Sequence, residues 1–313
     1  MTILIKLWYN VRKFWKSGVE MKETKQIVNQ MPPLERKLKG LTTTNLKIIA
    51  ILAMLIDHIG AVVIPYFQSV YAHSLESFFW LQLMVTPMRL IGRIAFPIFA
   101  FLIVNGFFHT KDLKKYLIRL SLFALISEPF FDFGLFGRYF DAAHQNVFFT
   151  LAFGLVAIWG YDNLVKKKGA NFIAGLFVAC IGFITVAMRT DYDFYGILTI
   201  FLIYLFFNSF KQMSVALIAL NLILYSGQLT LWSAIPSYAF YTYQIELQGG
   251  YGVGIQFLIY LLMISQLFSL FALLILKDYN GEKGKSFNKY FFYAFYPVHL
   301  FLLGIVVYIF KMI

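Results

Sequence analysis

The sequence predicts an all-α fold: a polytopic transmembrane helix bundle of about nine spans, with an N-terminal amphipathic helix on the membrane surface. Hydrophobic residues make up 60% of the 313 residues and charged residues only 13%, whereas soluble domains average about 45–50% and about 25%. Mean hydropathy is also high, at +0.72. These values exclude a disordered chain, a disulfide scaffold, a coiled coil and an ordinary soluble enzyme.

The predicted spans follow from the lengths of the apolar segments. A helix needs about 20 mostly apolar residues to cross the hydrocarbon core of a bilayer. Nine segments satisfy this requirement: Leu46–Phe67, Met88–Phe108, Tyr116–Phe133, Asn146–Leu164, Asn171–Met188, Phe194–Phe210, Met213–Ser233, Tyr251–Leu276 and Tyr290–Phe310. Ten spans are the alternative, because residues 213–243 contain either one span and an outer loop or two short spans.

The positions of Lys and Arg indicate which side of the membrane each loop occupies. The chain carries 27 of these residues and a net charge of +12, and cytoplasmic loops are enriched in them. With a cytoplasmic N-terminus, nine spans keep the basic segment 277–289 inside, whereas ten would move it outside. We therefore predict a multi-pass protein of the cell membrane with its N-terminus in the cytoplasm. Its positive charge would meet anionic lipids rather than nucleic acid.

The first 45 residues form a separate segment in this prediction, followed by a transmembrane domain over 46–313. Leu4, Trp8, Val11 and Trp15 recur at helical spacing, with Lys and Arg between them. This pattern is typical of an amphipathic helix that lies flat on the cytoplasmic leaflet.

The most informative residues are ionisable side chains inside the predicted spans, because such groups are costly in a bilayer. Asp57 and His58 are adjacent near the middle of the first span, and Arg89 and Arg93 lie one turn apart in the second. If the polar faces of the spans turn towards the inside of the bundle, these side chains form one water-filled cavity that opens to the outer side of the membrane. We expect that cavity to be lined by the following residues: Arg93, Glu128, Asn146, Asp191, Asp193, Tyr296 and His299.

Histidine suits this position chemically, since its pKa of about 6.5 lets it accept and return protons near neutrality. A base at this position can deprotonate an amine or a hydroxyl, and Asp57 beside His58 either pairs with Arg93 or binds the acceptor. We expect Arg93 to pair with Asp57 and Glu128, although an intramembrane ion pair could also be purely structural. No spacing typical of metal ligands occurs, so no metal is expected.

Several stretches resemble the TraX family of membrane proteins, which is named for the conjugal-transfer pilin acetylase. They occur in the family's order: LKIIAILAMLIDHIGAVV (46–63), MRLIGRIAFPIFAFLIVNGFFHT (88–110), YLIRLSLFALISEPFFD (116–132), NVFFTLAFG (146–154), DYDFYG (191–196), DYNGEKG (278–284) and YFFYAFYPVHL (290–300). The segments 1–45 and 212–275 contribute little to the resemblance.

The resemblance implies an acetyltransferase with acetyl-CoA as donor, and an amine or hydroxyl on a peptide or glycan as acceptor. It also implies that His58 acts as the base. Residues near the inner ends of the spans would contact the phosphates of the donor, namely His109, Lys114, Lys115, Arg119 and Lys283. Two other functions stay open. A proton-coupled secondary transporter also uses charged residues inside spans, and a scaffold would tolerate their replacement by apolar residues.

Overall fold

A computed structural model describes residues 40–167, 169–233 and 264–312, together with residues 258 and 261. Of residues 225–233 it describes the backbone alone. The predicted amphipathic N-terminal helix and the first part of the predicted eighth span lie outside the described residues.

The described chain consists of helices joined by loops. The α-helices are α1 (Thr43–His58), α2 (Ile64–Tyr71), α3 (Leu75–Gly92), α4 (Ala95–His109), α5 (Leu113–Phe136), α6 (Val147–Leu164), α7 (Asn171–Ala187), α8 (Asp193–Leu205), α9 (Phe210–Ser233), α10 (Ala272–Leu276) and α11 (Lys289–Met312). A π-helical turn (Ile59–Val63) joins α1 to α2, and a 3-10 helix (Ser265–Phe271) precedes α10. Only two isolated β-bridges occur within the described ranges, which confirms the all-helical class.

Four helical segments of the described chain are long and apolar enough to cross a membrane: Thr43–Tyr71, Glu76–His109, Val147–Leu164 and Tyr290–Met312. Shorter apolar helices cover Asn171–Ala187, Asp193–Leu205, Phe210–Leu224 and Ser265–Leu276. Each of these segments overlaps one of the predicted spans. The total of nine crossings stays a prediction.

The predicted start of the second span, at Met88, is wrong. The helical segment begins with α3 at Leu75, where Ser74 and Ser77 form a capping box that satisfies free N–H groups of the first turn. Residues 93–94 then break the helix before α4 continues it. The sequence hides this start because polar residues, including Glu76, lower the hydropathy of α3.

The segment formed by α3 and α4 packs against the segment formed by α1 and α2 and runs antiparallel to it. Gly60 packs against Met88, and Gly92 packs against Asp57 so closely that an added Cβ would overlap the carboxylate. The missing side chain of Gly92 is therefore what allows Asp57 to lie between the two helices.

The core of the bundle lies where α4, α6 and α8 meet. Large side chains from all three helices are almost completely buried there, including Phe96, Phe107, Leu155, Ile158, Ile197 and Ile200. This core holds α4 and α6 in fixed positions, and both helices contribute to the cavities described below.

The start of α1 is bonded to the loop that follows α10. The N–H of Leu41 donates to the carbonyl of Asp278 (2.7 Å), and the N–H of Asn280 donates back to the carbonyl of Leu41 (3.0 Å). The N–H of Thr43 donates to the carbonyl of Glu282 (2.8 Å). These bonds join parts of the chain that are far apart in sequence.

Candidate active site

Two cavities lie inside the bundle, towards opposite ends of α5. The first, of about 270 Å³, is lined by Asp57, His58, Arg89, Arg93 and Asp191 among others, and we call it the mixed-charge cavity. The second, of about 610 Å³, is lined by Lys47, His109, Arg119 and Lys283 among others, and we call it the basic cavity.

The two cavities meet at four shared lining residues: Met54, Phe99, Val147 and Tyr296. His58 belongs to the mixed-charge side of this junction, and its ring meets the Tyr296 ring edge-on at a centroid distance of 5.9 Å. The two cavities are therefore neighbours, and the side chains that they share lie close to His58.

A chain of hydrogen bonds fixes the orientation of the His58 ring. Nδ1 of His299 lies 2.7 Å from the carbonyl oxygen of Phe295, which can only accept a proton. Nε2 of His299 is then unprotonated and accepts from Nδ1 of His58 at 2.6 Å. This network assigns the His58 tautomer whose Nε2 carries a free lone pair, and within the described residues no hydrogen bond to Nε2 is found.

Asp57 forms an ion pair with Arg89, whose Nη1 lies 2.7 Å from Oδ2 of Asp57. The other carboxylate oxygen, Oδ1, is buried without a partner in the described chain. Asp57 forms no hydrogen bond with His58 in this part of the chain. Arg89 rather than Arg93 makes this ion pair, because the rotation of α3 places Arg89 against α1, while Arg93 lies near Asp57 without an ion pair to it in the described chain.

Arg93 lies instead on the loop side of the mixed-charge cavity, near Asp57, Asp191 and Tyr192. The Tyr192 ring stacks on Phe96 with a centroid separation of 3.8 Å. Tyr192 has a φ of +74°, in the left-handed region that residues other than glycine seldom adopt. This backbone conformation turns the loop before α8 towards Arg93.

Asp191 lies in the same loop, outside the helices. Its N–H donates to the carbonyl of Gln145 (2.8 Å), and its own carbonyl accepts from the Thr150 hydroxyl. The Asp191 side chain lines the cavity, and protein atoms surround its carboxylate although the residue as a whole is exposed. The resulting desolvation raises the pKa of Asp191 to about 6, although nearby Arg93 acts in the opposite direction.

Glu128 and Asn146 do not line either cavity. Asn146 caps α6, since its side-chain oxygen accepts from the N–H of Phe148 (3.0 Å). Its backbone N–H donates to the Glu128 carboxylate (3.1 Å), and its side-chain amide contacts the same oxygen. This pair fixes the start of α6 against α5, and neither residue is among those that line the two cavities.

Asp193 and His299 also lie outside the lining of the cavities. Asp193 begins α8, and His299 contacts two lining residues, His58 through a hydrogen bond and Tyr296 through an edge-on ring contact. Of the seven residues predicted to line the cavity, the structure thus brings Arg93, Asp191 and Tyr296 to the mixed-charge cavity.

The basic cavity contains three of the five residues predicted to contact the donor: His109, Arg119 and Lys283. Lys114 and Lys115 lie outside it, on the first turn of α5. There the N–H of Lys115 donates to Asp112, the helix cap, and this hydrogen bond lowers the pKa of Asp112. The sequence analysis missed Lys47, whose ammonium group lies 5.2 Å from the centre of the Phe292 ring.

The basic cavity has an excess of positive charge. Lys47, Arg119 and Lys283 line it, and no Asp or Glu of the described ranges is among its lining residues. Nε of Arg119 is buried without a hydrogen-bond partner in the described chain. Such a cavity favours an anionic ligand. No group of three or more His, Cys, Asp or Glu that could hold a metal ion occurs among the described residues.

Comparison with known proteins gives one family and one relative. The profile of a family described as TraX protein matches residues 42–307. The chain is also 28% identical over 269 residues to the probable fimbrial assembly protein FimC, serogroup H1, of Dichelobacter nodosus, an alignment that covers 82% of this chain and 92% of that protein. No solved structure matches the chain. The family match includes His58, His299 and all the residues that line the two cavities.

Proposed function

The chain belongs to the TraX family, and we propose that it is a membrane acetyltransferase that moves an acetyl group from acetyl-CoA to an amine or hydroxyl acceptor. The observation that carries the proposal is the meeting of two cavities beside His58, whose Nε2 has a free lone pair. Two cavities of different charge suit two substrates that must react with each other.

The basic cavity suits the donor. Coenzyme A carries several phosphate charges, and Lys47, Arg119 and Lys283 supply cations that no carboxylate of the cavity neutralises. Hydrogen bonds from Lys and Arg to phosphates are stronger than those between neutral groups. In the proposed topology the N-terminus is cytoplasmic, so Lys47 and Lys283 face the compartment that contains acetyl-CoA.

The mixed-charge cavity suits the acceptor and opens, in this topology, on the outer side. Asp57 and Asp191 line it, and a carboxylate favours a cationic amine before that amine loses its proton. The relative from Dichelobacter nodosus is described as a probable fimbrial assembly protein. That description favours a peptide displayed on the cell surface over a glycan as acceptor.

The chemical step uses the lone pair of His58. Nε2 removes a proton from the acceptor, and the acceptor atom attacks the carbonyl carbon of the thioester. The tetrahedral intermediate collapses with cleavage of the C–S bond, and the CoA thiolate takes the proton from Nε2 as it leaves. General base catalysis of this kind contributes about 10²- to 10⁴-fold to the rate.

The test is acetyl transfer by the purified protein in lipid nanodiscs, with radiolabelled acetyl-CoA and an amine-bearing peptide. His58→Ala is expected to lose at least about 100-fold in kcat with an unchanged thermal unfolding midpoint. His73→Ala is the matched control, because His73 is exposed and lines neither cavity. Full activity of His58→Ala would rule out the assigned base.

The same purified protein, reconstituted into sealed liposomes, also tests the transporter. Proton uptake that depends on a transported solute and proceeds without acetyl-CoA would contradict the acetyltransferase and favour a proton-coupled transporter instead.

A further inference from the structure

Tyr296 occupies the junction of the two cavities and lines both of them. The residue is only 2% exposed, and its ring packs edge-on against His58 and against Phe148. No acceptor in the described chain takes its hydroxyl proton. A buried hydroxyl whose proton has no acceptor destabilises the fold, so a group that binds at the junction and accepts this proton offsets that cost.

A backbone donor lies beside the same hydroxyl. The side-chain oxygen of Asn146 accepts a hydrogen bond from the N–H of Phe148. The backbone carbonyl of Asn146 accepts a hydrogen bond from the N–H of Phe149. The remaining N–H of the first turn of α6, that of Val147, lies near the Tyr296 hydroxyl without forming a hydrogen bond of ordinary geometry to it. Val147 also lines both cavities. The N-terminus of a helix carries partial positive charge, which makes the hydroxyl a stronger donor.

The position of this donor relative to His58 suits an acyl transfer. The His58 and Tyr296 rings have centroids 5.9 Å apart and planes inclined by 68°. The carbonyl group of a thioester bound at the junction can therefore present its carbon to an acceptor that lies beside Nε2 of His58. In the same position the carbonyl oxygen approaches the Tyr296 hydroxyl. Donors that act in this way lie close to the position that the developing oxyanion occupies.

We propose that the Tyr296 hydroxyl, supported by the Val147 N–H, is the oxyanion donor of the acetyl transfer. This inference rests on the proposed acetyltransferase function. When the acceptor attacks, the π electrons of the thioester C=O move onto oxygen, and Tyr296 donates a hydrogen bond to that oxyanion without giving up its proton. When the intermediate collapses, the C=O bond forms again, the C–S bond breaks, and the thiolate takes its proton from His58.

The first test is the variant Tyr296→Phe, which keeps the ring and removes the hydroxyl. Loss of one oxyanion donor lowers kcat by about 10²- to 10³-fold in enzymes of this kind. We expect a loss of that size, with the KM for acetyl-CoA within about 2-fold of its original value. Tyr161→Phe is the matched control, because Tyr161 is as deeply buried but lines neither cavity, and its kcat should not change.

The second test does not depend on turnover. Infrared difference spectra of bound [1-¹³C]acetyl-CoA are recorded in His58→Ala and in the double variant with Tyr296→Phe. We expect the carbonyl stretch of the first to lie below that of free acetyl-CoA and that of the double variant to return towards the free value. A merely structural role for Tyr296 would not produce this difference.

The outcomes separate the two proposals. An inactive original protein that does not bind acetyl-CoA would overturn both. An active protein whose Tyr296→Phe variant keeps its kcat within about 3-fold would overturn the role of Tyr296 and leave the acetyltransferase standing. If Tyr296→Phe lowers the unfolding midpoint, difluorotyrosine at position 296 provides the deciding measurement. Its hydroxyl is a stronger hydrogen-bond donor, so it should lower the carbonyl frequency of bound acetyl-CoA further. An unchanged frequency would contradict the proposal.

Discussion

The two cavities differ in how their charges are neutralised. In the mixed-charge cavity Asp57 is paired with Arg89 at 2.7 Å, and Arg93 lies near Asp191. The basic cavity has three cations and, within the described chain, no lining carboxylate. Internal pairing keeps the first cavity stable without a ligand, because a buried charge that has a partner costs far less than one that has none. Among the described residues nothing that lines the second cavity supplies a counter-charge, so a bound anion would provide it.

The largest effect that this comparison predicts is on stability, and it concerns the ion pair. Arg89→Met leaves the Asp57 carboxylate without its partner between two helices. We expect the free energy of unfolding, measured by denaturant titration in detergent micelles, to fall by about 3–5 kcal/mol. Arg138→Met is the control, because Arg138 is 73% exposed in its pair with Asp141, and such pairs contribute about 0–1 kcal/mol.

A double variant sharpens this test. Combining Arg89→Met with Asp57→Asn removes both charges, so most of the lost free energy of unfolding should return. If the double variant is as unstable as Arg89→Met, the loss reflects packing rather than an unpaired charge.

The next effect concerns ligand binding in the basic cavity. Lys47→Glu or Lys283→Glu should raise the KM for acetyl-CoA by about 10-fold or more, since a hydrogen bond to a charged group contributes about 1.5–3 kcal/mol. Steady-state kinetics should show kcat and the KM for the acceptor within about 2-fold of their original values. Lys211→Glu is the matched control, because Lys211 is exposed and lies outside both cavities. An equal rise in the KM for the acceptor would contradict the division of roles between the cavities.

The smallest effect is a pH dependence of acceptor binding. The pKa of Asp191 is about 6, so its carboxylate is charged above that pH and is neutralised as the pH falls through it. The KM for an amine acceptor should therefore rise several-fold between pH 7.5 and pH 5. Asp191→Asn should show the higher KM at every pH. A pH dependence that persists in Asp191→Asn belongs to another group.

The sequence identifies Asp57 and His58 more readily than it identifies the side chains that contact them. Adjacent charged residues in a span are costly, and this argument leads directly to Asp57 and His58. It does not separate Arg89 from Arg93, because the two lie one turn apart and the rotation of α3 against α1 decides which one reaches Asp57. That rotation depends on close packing at Gly92.

Polar residues at helix ends are equally hard to assign from sequence alone. Asn146 and Glu128 look like cavity residues but together cap α6, because a cap and a binding group use the same side-chain types. Lys47 is the opposite case, because it lines a cavity although the sequence does not mark it as a cavity residue. It resembles an ordinary basic residue at the end of a span, and only the fold brings it to the same cavity as Lys283.

The hydrogen bonds between Leu41–Thr43 and the loop at Asp278–Glu282 have a consequence for synthesis of the protein. The ribosome makes the first of these segments long before the second, and His299 follows later still. The loop that is bonded to the start of α1 and the ring that orients His58 can thus join the bundle only after the helices between them have been synthesised. If the chain is the acetyltransferase proposed above, a translation product that stops before His299 should be unable to consume acetyl-CoA.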